Sequence, residues 1–412
     1  MTPPSVAVVG AGIGGLAAAL ALSRAGFPVT LVERRTGFSE VGAGLQLSPN
    51  ASRILIDLGL GPALERRVTE PSRVVVRAVG SGREIAGVAL GAFMRERFGA
   101  PYWVIHRADL QTILLDAVRA RNGGDGAGVR LVMGRTVDAL ENDETGVTLR
   151  LARESGARET LRADLAVGAD GVWSKARRAV EGPSGAVPPE YQGYVAWRAT
   201  IPRAAAPAAL SGDETGLWLG RRAHVVHYPI AGGREINIVA VLRRAQPVEG
   251  WATPGDAAEL AAAFGRAAKP LATLLGQAEQ WLLWSLYDRP ATRMARGRVA
   301  LLGDAAHPVL PFLAQGAALA IEDAACLARR LAHAQAIGGA AGELAGAAAE
   351  EALAGYARER LPRAARVQKT ARANGRIYHA GGVVALGRDL TMSRLGPKGL
   401  TERYAWLYGW GN

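Results

Sequence analysis

The sequence predicts an α/β fold with a β-sheet lobe inserted into it and a helical segment at its C-terminal end. Three observations predict this. Ser5 to Val9 is a β-branched run that passes through a glycine turn into an Ala/Leu helix and then into a second apolar run, Val29 to Val32. Two later apolar runs, Leu165 to Ala169 and Val299 to Leu302, stop at Asp170-Gly171 and Gly303-Asp304. From about Gly182 to Leu286 the texture changes to strand-length stretches rich in aromatic and β-branched residues. Strands alternating with helices build α/β layers, and a block of successive strands builds a separate sheet.

The stretch Gly303-Asp304-Ala305-Ala306-His307-Pro308 organises the chain. The buried strand before it places the Asp304 carboxylate at the carboxyl edge of a sheet, where α/β folds bind ligands. Beyond Pro311, the helix beginning at Gln315, Gly316 and Ala317 offers unpaired backbone N–H groups to an electron-rich ligand.

At the other end of the chain, Gly10, Gly12, Gly14 and Gly15 lie between strand and helix. G-x-G-x-x-G can be read with its third glycine at Gly15 or within the Gly14-Gly15 pair. Both readings serve a tight turn, a backbone close to a pyrophosphate and a helix close to its strand. Gly26 stops the helix, and Glu33 stands beyond it at the spacing where an acid accepts hydrogen bonds from a ribose. The motif does not separate FAD from NAD, and Arg34 and Arg35 leave a 2′-phosphate open.

Between these motifs lie further elements. Val41 to Gln46, with Gly42, Gly44, Leu45 and Gln46, suggests backbone near a ligand. Ser48 or Asn50 caps a helix that runs to Leu58 and is stopped by Gly59. Val74 to Val79 and Glu84 to Val88 are strands outside the nucleotide core. His106-Arg107-Ala108-Asp109-Leu110 begins a helix with Arg107 in its first turn, where a cation opposes the helix dipole; a phosphate partner explains it. Asn122 to Gly128 is a surface loop, followed by a meander of short strands to Leu161. Tyr194 to Ala199, Thr215 to Leu219, His224 to Ile230 and Ile236 to Leu242 are strands of the second sheet, and Asp256 to Ala268 is a helix. Trp197, Trp218, Tyr228 and Trp284 suit either an apolar lid or core packing. In His224-Val225-Val226-His227-Tyr228, alternation puts His224, Val226 and Tyr228 on one face and His227 on the other. Helices from Ala325 to Ala349 and Glu350 to Tyr378 precede a closing segment, Arg403 to Trp410, that packs back on the body.

Composition narrows the function. The 412 residues carry 49% hydrophobic and 21% charged residues, ordinary for a packed protein of two or three lobes. The net charge of +12 raises nucleic-acid binding, but the Arg residues are scattered, which fits a basic surface drawing in anionic cofactors and substrates. The single cysteine, Cys326, excludes an intramolecular disulfide and suits a cytoplasmic location. Glycines interrupt the uncharged Val6 to Leu22, so it is no membrane span, and no metal is expected.

Together, the glycine turn, Ala169-Asp170-Gly171 and Gly303 to Pro308 resemble the single-component FAD-dependent aromatic hydroxylases, in particular the salicylate hydroxylase and 3-hydroxybenzoate 6-hydroxylase branch. Gly42 to Gln46, His106 to Leu110, Tyr194 to Arg198 and Trp406 to Gly409 extend the resemblance nearly end to end. It implies a Rossmann-like FAD-binding domain in three parts, 1–73, 100–182 and 287–370. A substrate domain in two parts, 74–99 and 183–286, and a helical tail, 371–412, complete the chain. Glu33 would hold the adenosine ribose, the Gly10 loop the pyrophosphate, Arg107 the phosphate region and Asp304 the ribityl–pyrophosphate portion. The helix from Gln315-Gly316 would face the flavin ring, and Asp170 would serve both FAD and pyridine nucleotide.

The implied chemistry is reduction of flavin by NADH or NADPH, formation of a flavin hydroperoxide with O2, and attack by an electron-rich ring. A base near the ring hydroxyl favours phenolate, the better nucleophile. His224 matches the position of the catalytic histidine in hydroxybenzoate hydroxylase, with Tyr228 a second candidate. Pro311 stands where the 3-hydroxybenzoate enzyme uses a substrate-binding Gln, which counts against that acid but not against the reaction class. His307 supports its loop. The expected partners are a small aromatic substrate and O2, with the chain a monomer or homodimer. A flavin oxidoreductase without oxygen insertion is the alternative. A flavin halogenase is disfavoured because Ala199 interrupts the required tryptophan motif after Trp197.

Overall fold

The structure, a computed structural model, describes residues 3–38, 44–121, 127–250, 252–337 and 346–411. The predicted glycine-segment residues 41–43, the loop residues 122–126 and the glycine-rich stretch 338–345 lie outside the described residues.

Two large sheets carry the fold. The first has six strands in the order Ala295–Arg296, Val299–Leu301, Leu165–Gly168, Val6–Val9, Val29–Val32, Val129–Val132. All its pairings are parallel except that of the short Ala295–Arg296 edge strand. Its central strands are fully buried, as expected of a sheet covered on both faces. The Ile13–Arg24 helix packs on it and in turn against Gly316–Ile337, which forms one α-helix.

The second sheet has eight strands in the order Thr253–Gly255, Trp281–Asp288, Glu190–Pro202, Glu235–Arg243, Ala223–Ile230, Thr215–Gly220, Arg73–Ala78, Glu84–Ala89. Strands from residues 73–89 and from residues 190–288 therefore share one sheet, joined where Thr215–Gly220 pairs in parallel with Arg73–Ala78. A three-stranded meander runs through Arg135–Asp143, Gly146–Arg153 and Arg158–Ala163, and Gly44–Leu47 pairs with Trp103–His106.

Several predicted boundaries shift. The helix expected over Asp256 to Ala268 is Ala257–Ala263, capped by the Asp256 carboxylate accepting from the Ala258 N–H; a separate helix comes next at Lys269–Gly276. Phe264 and Gly265 fall in the break, and glycine inside a helix costs about 1 kcal/mol relative to Ala. Ser48 occupies the N-cap of Pro49–Asp57 without bonding its backbone; the hydroxyl bonds the Asn50 side chain instead, at 2.6 Å. The long helix Gly346–Tyr378 is succeeded by Gly382–Glu402, which supplies the helical segment expected at the C-terminal end. The chain end does pack back: Leu407 and Tyr408 are buried, and Arg363 Nη1 donates to the Trp406 carbonyl at 3.1 Å. Among the described residues, no helix is long and apolar enough to cross a membrane.

Candidate active site

Register brings the site together. Val9 pairs with Val32 on one side and with Gly168 on the other, and Gly168 pairs in turn with Leu301. Four strands thus end level, and the turns after them emerge at the same carboxyl edge: Gly10, Glu33, Ala169-Asp170 and Gly303-Asp304. This edge is where open parallel sheets bind ligands.

Each glycine of the first turn has a different physical reason. Gly10 has φ +98°, and a Cβ there would stand 2.6 Å from the Ala169 carbonyl oxygen. Gly15 lies against the Gly10 carbonyl, where a Cβ would overlap it. A Cβ at Gly14 would meet Leu302 Cδ1 at 2.8 Å and Ala320 Cβ at 3.0 Å, so this glycine lets the helix approach the Gly303 turn. At Gly12 a Cβ would meet nothing within 4 Å; the space beside this backbone is open. Glu33 Oε2 accepts from the Ala11 N–H at 2.8 Å and Oε1 from the Arg35 N–H at 2.9 Å, which ties the acid to the turn. Each oxygen keeps a lone pair for a hydroxyl donor. Arg34 is solvent-exposed.

The two acidic turns are linked. Buried Arg177 donates through Nε to the Ala305 carbonyl at 2.9 Å and through Nη2 to the Asp304 carbonyl at 3.1 Å. Asp170 caps its own turn: Ser174 Oγ donates to Oδ1 at 2.6 Å, and the Lys175 and Ala176 N–H groups donate to Oδ2 at 2.7 and 3.1 Å. Its neighbours Ala169 and Gly171 line the cavity. Asp304 stands with its own surface open to the cavity, yet protein encloses it at longer range. That enclosure pushes its carboxyl above the usual range, against the pull of His307, Arg107 and Arg177. Behind this turn, Asp323 accepts from the Gly303 N–H at 2.9 Å and bonds His307 Nε2 at 2.6 Å and Arg360 Nε at 2.6 Å. Burial pulls the His307 imidazole down, but the Asp323 charge and hydrogen bond, with Asp304, together outweigh it and the net shift is upward. His307 therefore braces the turn.

Pro311 begins a short 3-10 turn and Gly316 begins the long helix; both line the cavity, as do Gln315 and Ala317. The Gln315 amide donates to Ser48 Oγ at 2.9 Å and its carbonyl oxygen accepts from Asn50 at 3.1 Å. That clamp holds the helix start in place. Gly44, Leu45, Gln46 and Arg107 line the same cavity. The Gly44 N–H donates to Asn237 Oδ1 at 2.7 Å, and a Cβ there would meet Tyr228 at 2.5 Å.

The opposite wall belongs to the second sheet. His224, Val226 and Tyr228 point into the cavity beside Val241 and Val239, their strand neighbours. His227 points the other way, buried toward Trp218, and burial pushes it down to about 3. Burial likewise holds His224 well below the usual imidazole range, helped by the nearby His379. Tyr228 is buried too; burial raises its phenol, against Arg198 and a hydrogen bond with Gln46. A phenol held protonated is a donor, so this geometry disfavours Tyr228 as the base. Trp197 and Trp218 belong to the core of the second lobe and form no lid. Cys326 is a core residue, its thiol pushed up by burial to about 12.

Two residues of the site are not singled out by the sequence. Arg198 lines the cavity and stacks 5.1 Å from the Trp284 ring, and its buried Nε has no partner. His379, just beyond the Gly346–Tyr378 helix, bonds His224 through Nε2···Nδ1 at 2.7 Å. The cavity measures about 310 Å³, within the roughly 300–1,000 Å³ of a small-molecule or cofactor site.

A nucleotide-type sheet edge facing a histidine-bearing second sheet across one cavity defines a flavoprotein oxidoreductase. The family model described as "FAD binding domain" matches residues 4–371. A 3-amino-4-hydroxybenzoate 2-monooxygenase of Streptomyces platensis is 38% identical over 415 residues, covering 98% of this chain and 96% of the relative. The 3-hydroxybenzoate 6-hydroxylase of Polaromonas naphthalenivorans is 34% identical over 406 residues, with the same coverage of 98% and 96%. The crystal structure of Klebsiella pneumoniae HpxO with FAD and uric acid superposes with a TM-score of 0.82 at 26% identity, covering 98% of this chain and 96% of that one. The chain belongs to this family, the FAD-dependent aromatic hydroxylases.

Proposed function

We propose that the chain is an FAD-dependent monooxygenase that uses NADH or NADPH and O2 to hydroxylate a phenolic or related aromatic substrate, with His224 as the base for the ring hydroxyl. One observation carries the reading: the Gly12 turn, the Asp304 turn and the His224 face of the second sheet line a single cavity.

The residues present fit FAD. The open side of Gly12 leaves room for a pyrophosphate against backbone N–H groups, and Glu33 retains acceptor capacity for the adenosine ribose. Arg107 would offset phosphate charge, and Asp304 would accept from the ribityl and pyrophosphate portion. The first N–H groups at Gly316 and Ala317 would face the flavin ring, and the Asp170 turn would serve both FAD and the pyridine nucleotide. When bound, FAD supplies the redox chemistry, taking electrons from the nicotinamide and delivering oxygen. Tyr228 and Arg198 would orient the ring, and the apolar wall of Val226, Val239 and Val241 excludes water from it. The FAD-binding parts would be 1–73, 100–182 and 287–370, and the substrate parts 74–99 and 183–286. Cys326 as the only cysteine supports a reducing cytoplasm.

The test is a screen of salicylate, 3-hydroxybenzoate and 3-amino-4-hydroxybenzoate, together with further aromatic acids, for acceleration of NAD(P)H oxidation, with the product mass measured. A product heavier by one oxygen is expected. Flavin-loaded protein that yields hydrogen peroxide alone with every acid would favour the oxidoreductase without oxygen insertion.

A further inference from the structure

His224 has two ring nitrogens, and the structure commits one of them. Nδ1 lies 2.7 Å from His379 Nε2, so only Nε2 is left for a ligand in the cavity. His379 is itself held firmly. Its N–H donates to the Gly375 carbonyl at 3.2 Å, and its carbonyl accepts from the Arg222 N–H at 3.2 Å, two residues before His224. The two rings sit in an aromatic box. Tyr194 lies 4.9 Å from His379, while Phe312 and Tyr378 lie 5.4 and 5.6 Å from His224. No carboxylate bonds either ring among the described residues.

We propose that His379 is a positioning and relay residue, which with His224 forms a two-histidine proton path out of the cavity. The inference rests on the reading of His224 as base. In this path the ring hydroxyl of the substrate loses its proton to His224 Nε2. His224 Nδ1–H passes its proton to His379 Nε2, and His379 gives up the one on its buried, unpartnered Nδ1 to a water molecule admitted beside it. Each N–H formed is matched by one broken, and the phenolate keeps the electron pair.

Physics favours a path over a resting charge. His224 lies in an apolar box where an imidazolium is costly, and His379 adds repulsion to it; His379 in turn is lowered by burial and by the Arg243 charge. His379 has 9% of its area exposed against 3% for His224, and its Nδ1 is itself buried and has no protein partner. The pair also fixes the tautomer. With His379 Nε2 accepting, His224 must carry its hydrogen on Nδ1 and present a bare Nε2 to the cavity.

The test uses the FAD-loaded protein and 4-nitrophenol, whose bound phenolate is read by its visible absorbance across pH. His379→Phe keeps a ring in the box but removes the acceptor. His379→Gln keeps an acceptor that cannot take the proton. The wild type should ionise the bound probe at a lower pH than in free solution. His379→Phe and His224→Phe should each raise that pH by about one unit, a tenfold change in ionisation, with His379→Gln between them. A merely structural role would change probe affinity and leave its ionisation unmoved. A shift in His224→Phe without one in His379→Phe overturns the relay and leaves the base intact. No shift in either overturns both. Nitrogen-15 ring spectra decide without any ligand: His224 should carry its proton on Nδ1 in the wild type and become a tautomer mixture in His379→Phe. Protonation at Nε2 in the wild type overturns the proposal.

Discussion

Gly10 passes so close to Ala169 that a Cβ on it would lie 2.6 Å from the Ala169 carbonyl oxygen. Two neighbouring strand ends are pressed together at the point where the cavity opens. Gly12, two residues on, faces open space instead. These two glycines predict different failures. Gly10→Ala should destabilise the fold, because both the contact and the φ of +98° forbid a side chain. Gly12→Ala should leave the thermal midpoint within a few degrees but weaken FAD binding about tenfold or more, because a methyl group fills the proposed phosphate space. Differential scanning fluorimetry and flavin titration check this. Equal loss of stability in both variants would contradict it.

His224→Ala should slow turnover by about 10²-fold or more, the usual contribution of a positioned base, while the protein stays yellow. Steady-state rates with the best acid from the screen, set beside the flavin content, measure this. Unchanged turnover removes His224 as the base.

Acid should destabilise the protein through its buried neutral histidines. Burial pushes His227 down to about 3 and His379 to about 4, and holds His224 low as well. Unfolded histidines protonate near pH ~6.5, so below that pH the unfolded state binds more protons. Stability is then full above about pH 6.5 and falls on acidification, by about 1.4 kcal/mol per pH unit for each such group. His307 opposes them, since its raised value makes its contribution fade as pH rises. Urea midpoints at successive pH values should fall toward acid, and His227→Phe should flatten the slope. A midpoint indifferent to pH across this window contradicts the account.

Asp323→Asn should cost roughly 3–5 kcal/mol, the usual penalty for breaking a buried ion pair from one side. It weakens the partners of Gly303, His307 and Arg360 at once. Denaturant unfolding measures this, and flavin affinity should fall with it because the Asp304 turn loses its brace. A loss under about 1 kcal/mol, the worth of a surface pair, would contradict the role.

What the sequence disclosed depended on distance along the chain. The turn at Gly10 to Gly15 was legible because strand, glycines and helix are contiguous. The alternation of His224 and Tyr228 was legible because a strand repeats every two residues. His379 was not, because it meets His224 from 155 residues away. Arg198 was hidden because its orphaned Nε is visible only once the cavity walls are known. The C-terminal helical segment was expected but the bounds Gly382–Glu402 were not, because Gly396 and Pro397 break its pattern, and Gly396 is non-helical within it, with φ 65°. Trp197 and Trp218 showed the reverse: aromatic content alone could not separate a lid from a core, and packing decided for the core.

The most direct measurement of the central claim is turnover under oxygen-18 gas with mass analysis of the aromatic product. One cavity shared by the Gly12 turn, the Asp304 turn and the His224 wall predicts a hydroxylated ring carrying a single labelled oxygen atom. A ring recovered without label, with all the labelled oxygen found in hydrogen peroxide, would contradict it.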